Sequence, residues 1–338
     1  MKPTLFCIHK AVFSFPKPQA HGRFRTMTHT LTSVTGRPAS PFAFGTMQFG
    51  QGASDTDSQA MFDACRAAGV NHFDTAHAYT GGASETLLGG MLGTERDDLL
   101  IATKVGNPGG GDAANMRAQF ETCRSRLNLD MVDILYLHRF DPNTDLRETM
   151  QTFAEFRDKG QIRYVGLSNF AAWQVMKAQT IAAEFDLKID IFQPMYNLVK
   201  RQVEVEILPM CADQGIAVAP YSPLGGGLLT GKYVGAAGGR LVENSEYTQR
   251  YNVDWMRQTA QDLTTLAAEL GTHPATLAVA WAAAHPTHPM PILSGRNTTQ
   301  LAPSLDGVTY DMSPDLYKRI TALSITPAPA TDRLEELA

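Results

Sequence analysis

From about residue 42 onward the chain alternates two apolar patterns. Short runs rich in Val, Ile, Leu and Phe give way to longer stretches in which apolar residues recur every three or four positions. The first pattern predicts buried strands and the second predicts helices with one apolar face, so the chain reads as repeated strand–helix units. Eight strands are expected, at Phe42–Met47, His72–Asp74, Leu99–Lys104, Met131–His138, Ile162–Ser168, Ile189–Met195, Ala217–Tyr221 and Met290–Leu293. Helices are expected at Thr56–Ala68, Ala113–Leu127, Leu146–Lys159, Ala171–Ala178, Arg201–Asp213, Trp255–Leu270 and Pro274–His285. The first follows a Ser54-Asp55 cap region, and Gly69, Gly160, Gly215 and Gly271 stand where left-handed stops belong. The stretch from Gly225 to Arg250 is too long and too glycine-rich for an ordinary connection, and reads as a mobile functional loop.

Eight such units without a composition break favour one closed (β/α)8 TIM barrel of the α/β class over an open doubly wound sheet. The open sheet normally brings a Gly-x-Gly-x-x-Gly turn after its first strand, and no such triplet occurs in this sequence. The barrel is expected over residues 31–325, behind an N-terminal extension (1–30) and before a C-terminal tail (326–338).

Composition narrows this further. At 338 residues, 43% hydrophobic and 19% charged, the chain can bury a large core, which excludes a disulfide scaffold, a collagenous chain and a disordered one. The longest clean apolar run, Leu277 to Ala284, falls short of the ~20 residues that span a bilayer, so no membrane span is expected. Cys7, Cys65, Cys123 and Cys211 are scattered without a CxxC pair, which suits reduced thiols in a cytoplasmic protein. A net charge of −5 gives no reason to expect nucleic acid as a partner. Charge is uneven, however. Lys2, Lys10, Lys17, Arg23, Arg25 and Arg37 all precede the first acid, Asp55. A targeting peptide, an unstructured extension, or translated upstream sequence with the true start at Met27 would account for that.

In a barrel of this kind chemistry gathers at the C-terminal ends of the strands. The second strand ends in Asp74 with Tyr79 shortly after, the third in Lys104 and the fourth in His138. A phenol ordinarily titrates at about 10, too high for easy proton exchange near neutrality. A neighbouring ammonium stabilises the phenolate, and a carboxylate holds that ammonium in place. Tyr79 with Lys104 and Asp74 can therefore act as a general acid, with His138 hydrogen-bonding the same substrate oxygen, which suggests carbonyl reduction.

These residues carry a family likeness. The chain resembles the aldo-keto reductases, and among them the bacterial branch that also resembles potassium-channel β subunits, over roughly residues 38 to 325. The likeness runs through Phe73-Asp74-Thr75-Ala76 with Tyr79, Gly81-Gly82-Ala83-Ser84-Glu85, Thr103-Lys104, Leu137-His138, Gly166-Leu167-Ser168-Asn169-Phe170, Gln193-Pro194-Met195-Tyr196-Asn197 and Tyr221-Ser222-Pro223-Leu224-Gly225. The resemblance implies metal-independent hydride transfer from a reduced nicotinamide to a small aldehyde or ketone. Tyr79 would be the proton donor, tuned by Lys104 and Asp74, with His138 orienting the carbonyl. Ser168, Asn169 and Gln193 would bind the nicotinamide carboxamide, Tyr221 would stack on its ring, and Gly45, Thr46 and Met47 would line its inner side. Ser222, Leu224, Gly225, Gly227 and Lys232 would wrap the pyrophosphate. Ser294, Gly295, Arg296, Gln300 and Ser304 match the segment that holds the adenosine 2′-phosphate and adenine. Arg296 makes NADP(H) the better expectation than NAD(H), although it could be a solvated surface charge.

Three details depart from the likeness or lie outside it. Gly226 to Gly231-Lys232 fits GxxxxGK, but Tyr233 replaces the Ser or Thr that a P-loop needs, so an NTPase is not expected. His77 either touches substrate or caps its loop. Arg139, directly after His138, biases the pocket toward anionic or polar substrates. A second class of function stays open: a nicotinamide-binding regulatory subunit like the channel β subunits, in which turnover is incidental.

Overall fold

The computed structural model describes residues 31–233, 245–333 and 335. The basic extension expected over residues 1–30 lies outside them, as does the middle of the long loop, residues 234–244.

Eight parallel strands form the sheet: β1 (Ala43–Gly45), β2 (His72–Asp74), β3 (Leu100–Val105), β4 (Val132–Leu137), β5 (Ile162–Ser168), β6 (Ile191–Gln193), β7 (Ala217–Val218) and β8 (Ile292–Leu293). Their order, β7-β6-β5-β4-β3-β2-β1-β8, is sequential, and the two ends meet. Met290 N–H donates to the Val218 carbonyl at 2.8 Å and Ile292 N–H to the Pro220 carbonyl at 2.9 Å, closing a (β/α)8 barrel. Between strands run α1 (Asp55–Ala67), α2 (Ala83–Met91), α3 (Ala113–Leu127), α4 (Leu146–Asp158), α5 (Ala172–Ala183) and α6 (Ile207–Gln214), and later helices span Asp254–Glu269 and Pro274–Ala283. Ser54 caps α1 by accepting the Asp57 N–H at 3.1 Å.

Several expected elements change length. The sixth helix does not run from Arg201 to Asp213: a 3-10 turn at Gln202–Glu204 precedes α6. Pro209 has no N–H and its ring clashes four residues back, so it is tolerated only in the first turn of a helix starting at Ile207. Conversely, α5 continues five residues past the expected Ala178. Helices absent from the sequence reading occupy Ala83–Met91, Ser245–Tyr251, Thr298–Asp306 and Pro314–Thr321. One of them, Ser245–Tyr251, begins inside the stretch read as a loop and ends one residue beyond it.

The period of two along each strand sorts side chains into two cores. Phe44, Phe73, Ile101, Leu135, Val165, Phe192 and Val218 pack outward with the helices. Ala43, Leu100, Ala102, Ile134, Tyr136, Ile191, Ala217, Ala219 and Ile292 fill the interior, with Leu31 at the floor. Gly166 belongs to that layer because a Cβ there would run into the Tyr136 ring. The same period places Asp74, Lys104, Ser168 and Gln193 one step above the apolar filling, at the mouth.

His72 lies one step below Asp74, fully buried, with neither ring nitrogen hydrogen-bonded among the described residues. Burial pushes its imidazole down to about 4, Asp74, Lys104 and Asp133 acting as smaller influences. The unfolded chain binds this proton below about 6.5 and the folded chain does not, so acid favours unfolding between those values, by about 1.4 kcal/mol per pH unit. His72→Leu is therefore expected to flatten the fall of the urea midpoint between pH 6.5 and pH 4. An unchanged slope would show that His72 is not the titrating group.

Candidate active site

Lys104 is the centre of the mouth and is fully buried. Its Nζ donates to Asp74 Oδ2 at 2.5 Å, to the Thr75 carbonyl at 2.8 Å and to the Tyr79 hydroxyl at 3.4 Å. A buried ammonium is tolerable only when paired and fully hydrogen-bonded, and these three acceptors meet its three donors. Asp74 keeps its other oxygen satisfied by Gln193 Nε2 at 2.9 Å. Although burial opposes the charged form, Asp74 and Tyr79 raise the Lys104 pKa above its ordinary value.

Tyr79 differs from expectation in one respect. Its phenol is pushed up, burial being the largest cause, while Lys104 pulls in the opposite direction. The ammonium thus offsets part of the burial instead of producing a net fall. The phenol remains a proton donor at neutral pH. His138 stands edge-on to Tyr79, with ring centroids 5.8 Å apart. Burial, then Lys104 and Arg139, hold its imidazole down to about 3, so it is neutral over the working pH range.

The ends of β4, β5, β6 and β7 are tied together beside this group. Asn169, at φ +58°, donates from Nδ2 to the His138 carbonyl and to Ser168 Oγ, both at 3.0 Å, and its Oδ1 accepts the Tyr221 hydroxyl at 2.7 Å. Ser168 Oγ donates to the Gln193 carbonyl at 2.9 Å. Asn169 is thus a brace for both His138 and Tyr221 as well as a candidate ligand.

The remaining expected residues surround this core. Gly45 packs against Ile292, where a Cβ would lie 2.8 Å from Cγ2, and its carbonyl accepts Ser294 Oγ at 3.1 Å. Thr46 turns inward: buried, it donates from its hydroxyl to the Asp74 carbonyl at 3.2 Å and lies 2.7 Å from Ser84 Oγ. Met47 is exposed at the rim. Ser222 and Gly225, Gly226 and Gly227 all adopt positive φ, between +56° and +95°, a backbone with no side chain at three of four positions. Leu224 is half-buried at the start of this turn, and the ammonium end of Lys232, its Cε and Nζ, packs where a Gly227 Cβ would be. Arg296 and Gln300 are exposed, with Arg296 N–H donating to Gln300 Oε1 at 3.3 Å; Gly295 packs tightly on Leu301. Ser304 is 1% exposed, and its hydroxyl has no partner among the described residues.

This set fits a nicotinamide dinucleotide. A glycine-rich turn after β7, a buried hydroxyl after β8 without a partner among the described residues and an aromatic ring at the mouth lie on adjacent strands of the closed barrel. Backbone amides of such a turn can hold a phosphate, and an aromatic face can stack on a planar ring.

The sequence reading missed some residues here. Tyr247 seats its ring on Gly226, where a Cβ would collide with it, and it lies close enough to influence Tyr79. Trp173 is 63% exposed and stacks edge-on with Phe140, which itself packs on Phe170. No spacing rule marks either residue. His77 takes part in the support of its loop: its carbonyl accepts Arg126 Nη1 at 3.1 Å, and its Nδ1 lies 3.4 Å from the same nitrogen. No helix among the described residues is long and apolar enough to cross a membrane.

Comparison with known proteins agrees with the geometry. The chain is 33% identical over 291 residues to a probable voltage-gated potassium channel subunit beta of Arabidopsis thaliana, covering 81% of this chain and 89% of that one. It is 29% identical over 332 residues to uncharacterized oxidoreductase YrpG of Bacillus subtilis, covering 92% of this chain and 100% of that one. Aflatoxin B1 aldehyde reductase member 2 of Rattus norvegicus is 38% identical over 209 residues, 60% of this chain and 57% of that one. The aldo/keto reductase family model matches residues 41–325, which take in all eight strands and the whole mouth. The chain is an oxidoreductase of the aldo/keto reductase family, whose members bind a nicotinamide cofactor.

Proposed function

We propose that the protein reduces a small aldehyde or ketone to its alcohol with NADPH, Tyr79 serving as the general acid. The observation that carries this reading is the buried chain from Asp74 through Lys104 to the Tyr79 hydroxyl. Asp74 anchors the ammonium, the ammonium stabilises phenolate once the proton leaves, and burial keeps the phenol protonated beforehand. Neutral His138 donates a hydrogen bond to the carbonyl oxygen and turns it toward Tyr79. When bound, the reduced nicotinamide supplies the hydride to the carbonyl carbon. As negative charge grows on the oxygen, the Tyr79 hydroxyl hands over its proton.

Ser168, Asn169 and Gln193 would meet the carboxamide, Tyr221 the ring, Ser222 to Gly227 with Lys232 the pyrophosphate, and Arg296 the 2′-phosphate. Arg139 would favour carbonyl compounds that carry an anionic group. It is exposed and forms no ion pair among the described residues, and its charge acts on His138.

A panel of neutral and carboxylated aldehydes and ketones, run with NADPH and with NADH, tests the whole reading. Turnover with NADPH preferred, and a preference for acidic aldehydes that Arg139→Ala erases, is the expected result. The similarity to the Arabidopsis channel subunit favours one alternative, a cofactor-binding regulatory subunit. NADPH binding seen by protein fluorescence, without turnover of any member of the panel, would establish that alternative.

A further inference from the structure

Behind the Tyr79 loop lies an ion pair, buried at its acidic end, that the reaction itself does not use. Glu85, on α2, is fully buried. Its Oε1 accepts the Thr103 hydroxyl at 2.6 Å, one residue before Lys104, and its Oε2 meets Arg126 Nη1, on α3, at 3.1 Å. The same guanidinium nitrogen donates to the His77 carbonyl at 3.1 Å and lies 3.4 Å from His77 Nδ1. His77 N–H in turn donates to the Lys104 carbonyl at 3.0 Å.

The turn these groups support is strained. Tyr79 opens the 3-10 turn Tyr79–Gly82, in which Thr80, Gly81 and Gly82 have φ of +48°, +63° and +99°. A non-glycine residue such as Thr80 is disfavoured in the left-handed region and persists only where its surroundings over-determine it. The Arg126 guanidinium fills the space beneath Gly82, where any Cβ would collide with Cζ and Nε. Gly89 lets this happen, because a Cβ there would run into the Leu127 carbonyl and hold α2 away from α3.

We propose that the Glu85–Arg126 pair is a positioning clamp, locking the Tyr79–Gly82 turn onto the Lys104 strand and so setting the distance between the Tyr79 hydroxyl and Lys104 Nζ. The inference rests on the reading of Tyr79 as proton donor. His77, Glu85 and Cys123 also bring ligand atoms within 4.8 Å of one another, a grouping that could hold a metal ion. Arg126 already supplies the cation there, and burial, then Glu85, push the Cys123 thiol far above its ordinary range, which keeps it protonated. The group is therefore built around a guanidinium.

Arg126→Gln removes the charge and the fork and leaves a shorter, uncharged amide that cannot reach Glu85 and the His77 carbonyl together. The expected result is a folded protein whose kcat falls about 10- to 100-fold, the scale of a small misplacement of a reacting group. Its affinity for NADPH, read from protein fluorescence, stays within about twofold, and Arg126→Lys recovers part of kcat. A readout independent of turnover is the 13C-tyrosine resonance of Tyr79, assigned by its loss in Tyr79→Phe, which should shift and change its titration midpoint in Arg126→Gln. A folded Arg126→Gln with unchanged kcat and an unchanged Tyr79 resonance overturns the clamp. If the wild type turns over no carbonyl, the functional reading fails by itself and the resonance alone decides. If Arg126→Gln does not fold, Thr103→Val, which removes the hydroxyl that Glu85 and Cys123 share and leaves the Glu85–Arg126 pair in place, is measured the same way.

Discussion

Tyr79→Phe is expected to lower kcat/KM for carbonyl reduction by about 10²- to 10⁴-fold, the usual worth of a positioned acid, while NADPH still binds. The change removes one hydroxyl and little else. The ring keeps its edge-on contact with His138 and its place 4.9 Å from Lys104 Nζ. Lys104 retains Asp74 and the Thr75 carbonyl, so no buried charge is stranded and the fold is not at risk. Kinetics with a saturating aldehyde, alongside a fluorescence titration with NADPH, separate the chemical step from binding. Activity within about tenfold of wild type would mean that the proton comes from another donor.

Lys104→Met is the second large effect, and it acts on the fold as well as on the chemistry. The ammonium and its partner Asp74 are almost wholly buried, with side-chain exposures of 0% and 3%. Removing one member of such a pair leaves the other as an uncompensated charge, which costs about 3–5 kcal/mol. Gln193 still donates to Asp74 Oδ1, but Oδ2 and the Thr75 carbonyl lose their donor. The urea midpoint at pH 7 should therefore fall sharply. The double variant Asp74→Asn/Lys104→Met should recover much of the loss, because neither change then strands a charge. Equal losses in the single and double variants would show that the pair contributes nothing beyond packing. Activity should be absent from both, since Tyr79 would have no cation to stabilise its phenolate.

How far local pattern carries can be seen from particular elements. β2, β5 and α3 have the bounds that periodicity predicts, because each is a continuous apolar or amphipathic run with a clear stop. The strand-end residues were legible for the same reason: a period of two that leads inward through Ala102 must bring Lys104 to the mouth. α2 was not legible. Its short stretch holds Gly89 and Gly90, so no helix is expected there, and it becomes one by packing directly on the backbone of α3. Ser245–Tyr251 escaped for a related reason, since seven residues carry too little periodicity to stand out.

Within the site, the identities of Asp74, Tyr79, Lys104 and His138 followed from the chain, but their relations did not. Whether burial or the ammonium governs the Tyr79 phenol depends on how closely the barrel wall encloses it. That Asn169 braces His138 and Tyr221 depends on three strand ends meeting, one of them 52 residues away. Arg126 reaches Glu85 across 41 residues only because two helices touch at a glycine. Sequence by itself determined the alternation of strands and helices and which polar side chains the strands deliver to the mouth, since both depend on short-range periodicity. The tertiary structure decided charge pairing, desolvation and the support of the Tyr79–Gly82 turn, because those depend on which distant segments exclude water from one another.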